Sequence, residues 1–118
     1  MQIPPSLPPV SSFPPTPTPP PMSNSQAKDI VDNAVTQLTN CNDNVNSINA
    51  QITALNSVLV SNVQPALTSQ QSNTILEVMT QLRDAVYDFN NGNQESGGKA
   101  MQIATTALQA CALGWGSP

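Results

Sequence analysis

Beyond Met22 the apolar positions recur in alternating steps of three and four. Val31, Ala34, Leu38, Cys41, Val45, Ile48, Ile52, Leu55 and Leu59 keep that spacing without a miss. A stripe of this period runs along one side of an α-helix and marks helix packed on helix. A strand would alternate with period two, and nothing here does. Ser23 and Gln26 have the Ser-x-x-Gln spacing of a capping box, in which each residue's side chain satisfies the other's backbone N–H. The first helix is therefore predicted to begin there.

One stretch interrupts the stripe in composition, though not in phase. Thr39, Asn40, Cys41, Asn42, Asp43 and Asn44 are all poor helix formers. Asn and Asp side chains compete for backbone hydrogen bonds and so favour caps and turns. The expected outcome is a break, giving helices of about Asn24 to Thr39 and Asp43 to Asn62. The alternative is one continuous helix of nearly forty residues.

Pro65 suits the first turn of a further helix, where its missing N–H costs nothing. That helix carries Leu67, Ile75, Val78, Leu82, Ala85 and Phe89 on one face. The polar run Thr68 to Asn73 weakens its beginning and moves the expected start towards Ser72. Asn91-Gly92 is a left-handed stop. Ser96 is the expected cap of a last helix through Ala100, Ile103, Ala104, Ala107, Leu108 and Cys111, ended by Gly114. Glu95 and Lys99 stand in the favourable i,i+4 order. The fold class predicted is all-α: a small bundle of about four helices over residues 23–115.

Residues 1–22 are different. Ten of the twelve prolines fall there, among them Pro14, Pro15, Pro17, Pro19, Pro20 and Pro21. Proline fixes φ and lacks an N–H, which excludes helix and interior strand. The expectation is a disordered, extended arm of polyproline II character, about 3.1 Å per residue. Its PxxP spacing is formally that of an SH3 or WW ligand. Such grooves want a flanking Arg or Lys, the arm has neither, and a spacer is the better reading. Residues 116–118, Gly-Ser-Pro, look like a short tail opening another linker.

Charge narrows the function classes. Only 8% of the 118 residues are charged, and the net charge is −4. Lys28, Arg83 and Lys99 are the only cations and are scattered, which argues against nucleic-acid binding and against adhesion to anionic lipid. No apolar run approaches the roughly 20 residues of a membrane span. The N-terminus lacks the basic start and apolar stretch of a signal peptide. A secreted origin would therefore make the chain a mature form or an internal module.

Cys41 and Cys111, an even pair in a lysine-poor chain, point to an oxidising compartment and a candidate disulfide. The alternative is two buried thiols acting as small apolar residues. In a simple up-down-up-down bundle the two positions lie at opposite poles, about 24 Å apart for a sixteen-residue helix. An internal bridge then needs steeply crossing helices or a non-sequential arrangement. It would stabilise the fold by about 4 kcal/mol. A bridge between chains is the other possibility. That both cysteines fall on apolar seams favours the internal one.

Catalytic candidates are few. There is no histidine, which excludes imidazole-based triads and His-containing zinc sites. The cysteines are too far apart in sequence for a CxxC redox motif. Asp84 and Asp88, at i,i+4, have the spacing of paired acids but more simply form a solvated face beside Arg83. Asp29 and Asp32 lie near a helix N-terminus, where the dipole favours carboxylates anyway. Gly92, Gly97, Gly98 and Lys99 are out of register for a phosphate loop, with Ala100 where Ser or Thr should stand. A flexible inter-helix loop is the expectation. No cofactor motif is present. Trp115 is either a cap over the bundle end or an exposed contact residue.

The proline-alternating PPTPTPPP of Pro14 to Pro21, the Gln70-Gln71-Ser72 triplet and a charge-poor helical body of Ala, Ser, Thr, Asn and Gln resemble a spider silk repeat module, nearest the pyriform type. The high Asn content and the two cysteines depart from that pattern. The resemblance implies proline-rich linkers alternating with soluble bundles that are stored concentrated and turned to fibre by shear and dehydration.

The function expected is a non-enzymatic, extracellular structural or assembly module that associates with itself. The alternatives are a secreted binding module for a lipid or other apolar ligand, with Met79, Met101 and Phe89 lining the pocket, a surface-active protein, or an effector that engages a protein partner through the arm or Trp115.

Overall fold

The capping box is made. In the computed structural model, which describes residues 19–115, Gln26 N donates to Ser23 Oγ at 3.0 Å and Ser23 N donates to Gln26 Oε1 at 3.0 Å. Helix α1 follows, Asn24–Asn40. The expected break comes next, at residues 41–44. Asn42 takes the left-handed conformation at φ 53°, which Asn tolerates better than most residues. Asn44 then caps α2, Val45–Val60, by accepting from Ser47 N at 3.1 Å.

Helix α3 spans Ser69–Asn90 and α4 spans Gln94–Leu113. Their turn is a Schellman motif: Gly92 at φ 79° donates to Phe89 O at 3.2 Å and Asn93 donates to Asp88 O at 2.8 Å. Each helix packs on its sequence neighbours, and α4 closes the ring onto α1. The fold is therefore all-α in class, a four-helix bundle. The nine seam residues predicted in the first two helices are all buried or half-buried.

Several local expectations are corrected. Pro65 is not the first turn of α3 but lies in the connection, after a cis Gln64–Pro65 bond. The helix starts neither there nor near Ser72. Thr68 and Gln71 form a second capping box, at 3.0 and 2.9 Å, so the polar run that looked like a weakness is the start signal. Helix α4 begins before Ser96, with Asn93 at its cap. Gly97 and Gly98 lie inside it rather than in a flexible loop. The need for Gly97 is steric: a Cβ there would stand 2.5 Å from Phe89 Cε1. Ile103, expected on the buried face, is 55% exposed.

The α2 stripe is also rotated. Gln51 and Val58 are buried, while Ile52 and Leu59 are half-buried. A helix flanked on both sides needs a wide face, and Gln51 falls inside it. Its Oε1 has no hydrogen-bond partner among the described residues.

Two short strands were not anticipated. β1, Pro21–Ser23, pairs in parallel with β2, Asn62–Gln64, with Met22 opposite Val63. Parallel strands need a long crossover, and α1 with α2 supplies it. Proline is admissible at the first residue of an edge strand. Asn62 N also donates to Pro20 O at 2.8 Å. The folded body therefore includes Pro21 and Met22, which were expected in the arm. Pro19 and Pro20 are exposed. Pro14, Pro15, Pro17 and the rest of the proline-rich arm lie outside the described residues, as does the tail at 116–118.

Candidate functional site

The bundle has two unlike poles, and Trp115, Cys41 and Cys111, with two of the three expected pocket residues, sit near one or the other. At the first, the start of α1, the α2–α3 connection and the end of α4 converge. The Asn24 side chain joins them: its Nδ2 donates to Pro65 O at 2.9 Å, and its Oδ1 accepts from Trp115 Nε1 at 2.8 Å. Trp115 is only 3% exposed and packs into the core cluster. Of its two expected roles it has the cap's and not that of an exposed contact. Burial of the indole leaves its N–H needing a partner, and Asn24 meets that need.

At the second pole the α1–α2 and α3–α4 turns lie side by side. Between them is an open groove of about 600 Å3, with Leu38, Phe89 and Met101 as apolar lining and Thr39, Asn42, Asp43 and Gln102 among the polar residues around them. Two of the three residues expected to line an apolar pocket are thus together. Met79 is not with them; it is part of the core. The polar lining was missed, since the residues come from separate helices and share no sequence spacing.

Cys41 and Cys111 are both free and half-buried, which corrects the expected internal bridge. The reason is the antiparallel arrangement. Cys41 caps the C-terminal end of α1, whereas Cys111 is in the last turn of α4, beside the start of α3. The two are at opposite poles, and a helix of α1's length separates them by about 25 Å. Burial pushes the Cys41 thiol pKa up; its own backbone hydrogen bond opposes this and Asp43 adds to it. Burial alone raises that of Cys111. Little thiolate is present near neutrality, and thiolate is the reactive form.

The carboxylates are dispersed. Asp84 and Asp88 line a shallow outer groove between α3 and α4 with Tyr87, Lys99 and Ile103. Lys99 pairs with Glu95 at 3.7 Å, not with them. Asp32 is bound to Lys28 at 2.8 Å, and accepting that hydrogen bond it holds the ammonium pKa above its ordinary value. Among the described residues no three metal-ligating side chains gather, and no helix is long and apolar enough to cross a membrane. The charge-free surface is the larger feature: from Asn44 to Leu76, all of α2 included, no residue carries a charge.

No family model, no curated protein and no solved structure matches the chain.

Proposed function

We propose that the protein is a non-enzymatic, extracellular structural module, a soluble building block of a fibre, glue or secreted matrix that associates with copies of itself. The observation that carries this reading is the uncharged side of the bundle. Helix α2 presents Asn46, Asn49, Thr53 and Asn56 to solvent without a single charge. Copies approach such a face with little electrostatic repulsion, and amide and hydroxyl groups exchange water for one another at small cost. The likeness of the proline-rich arm and charge-poor body to silk repeats supports the same reading. Light scattering and infrared spectra of the full chain, taken under shear, dehydration and rising concentration, test it. Assembly with a change of secondary structure is expected; a chain that stays monomeric and helical throughout overturns it.

The groove of Leu38, Phe89 and Met101 favours a second reading, a binding module for an apolar ligand. Displacement of a fluorescent dye by fatty acids is its test. Saturable displacement that Phe89→Ala weakens supports the ligand, and no displacement removes it.

A further inference from the structure

We infer that residues 41–44 are a hinge through which two copies of the chain exchange α1 and β1. The inference rests on the assembly reading for its biological use and names the partner as a second copy. The first observation is phase. Leu38, Cys41, Val45 and Ile48 keep steps of three and four straight across the turn, although the chain there reverses direction. A turn places no such demand on its sequence. A straight helix running through two bodies stacked end to end does, because its apolar side must face both cores. The second observation is how lightly the turn is closed. Asn42 stands at φ 53°, outside the helical region. The hydrogen bonds of this turn are local, Asn44 N to Cys41 O at 3.0 Å and Ser47 N to Asn44 Oδ1. The third is what opening exposes. Freed from its own body, α1 would bare Ala27, Val31, Ala34 and Leu38, and its own body would keep the matching vacancy. The surface that fits this face is the same vacancy in another copy. Reciprocal exchange closes a two-fold dimer, with β1 of each chain on β2 of the other.

In that dimer the second poles meet, and the two Cys41 residues come together near the two-fold axis. Both Cys111 residues stay at the far ends. The full chain and its Asn40→Ala, Asn42→Ala, Asn44→Ala triple variant separate the outcomes, by light scattering after gel filtration and by a short bis-maleimide cross-linker. Asn40 is helical in both forms, so alanine favours the continuous helix at two positions in each of two hinges, and the association constant is expected to rise about a hundredfold. Cross-linked dimer should form through Cys41, vanish with Cys41→Ser and survive Cys111→Ser. Asn42→Gly, easy at positive φ, should shift the balance towards monomer. A triple variant that stays a folded monomer, or a dimer linked through Cys111, overturns the hinge. Should the triple variant lose its helical circular dichroism, Asn42→Ala alone must raise dimerisation over the wild type, or the inference fails. If the wild type assembles under shear while hinge variants dimerise no more readily, the hinge falls alone. Exchange without any assembly would sink the assembly reading instead.

Discussion

Three separate stretches of chain are fastened to one another at the pole of β1 and β2, whereas the opposite pole holds together by packing. At the first, Asn24 bridges partners 41 and 91 residues away in sequence. At the second, the turn and cap hydrogen bonds reach no further than five residues, and the contact between the α3 and α4 ends is Phe89 laid against Gly97. Polar contacts between distant segments and apolar contacts between adjacent helices thus divide the molecule by height. Directional bonds specify which strands and termini belong together; packing alone leaves the turns at the other end freer to rearrange.

Breaking the fastened pole should cost most. Trp115→Ala removes a buried aromatic lid and is expected to lower the unfolding free energy by about 3–5 kcal/mol in urea titrations. A cost under 1 kcal/mol would mean the lid is ornamental. Asn24→Ala orphans the indole N–H and the Pro65 carbonyl contact, an expected loss of about 1–2 kcal/mol. In a double-mutant cycle with Trp115→Phe the two effects should fall short of additivity, which independent sites would not do.

The packed pole is probed by two neighbouring glycines of opposite sign. Gly97→Ala drives a methyl group into the Phe89 ring, with an expected destabilisation of about 1–3 kcal/mol. Gly98→Ala meets nothing within 4 Å, and in a helix interior it should stabilise by about 0.5–1 kcal/mol. Equal signs at 97 and 98 would show that close approach of α3 and α4 does not set this end.

The smallest effect is shared by both poles. Each cysteine, one at either end, has its thiol pKa raised above 9.0 by burial. The unfolded chain therefore loses these protons first. Their contribution is fully present below pH 9 and is lost as pH rises through the higher folded values. Denaturation midpoints at pH 7 and pH 10 should differ more in the wild type than in the Cys41→Ser, Cys111→Ser double variant.

What the sequence made legible follows the same division. The three-four stripe told the helices apart from strands because burial on a helix repeats every three to four residues wherever the core lies. Ser23 with Gln26 was readable as a cap, and Thr68 with Gln71 carries the identical signal; the surrounding Gln and Ser hid it by looking like poor helix. β1 was not legible: three residues have no period, and Pro21 argues against a strand unless its edge position is known. Gln51 against Ile52 shows the limit of a stripe, since one residue of rotation is decided by how many neighbours the helix has. At the groove, Phe89 and Met101 could be paired on apolar character, but only the ring order of the helices brings Thr39 and Asp43 to them.

Among the described residues the first element, β1, and the last residue, Trp115, stand at one pole. A pull applied through the flanking segments would not stretch the bundle along its helices. It would pry the indole from Asn24 and unzip the strand pair before any load reached the turns at 41–44. A tethered array of such bundles would thus give way from its attachment points inward, each module paying out its folded length only after its fastening had parted.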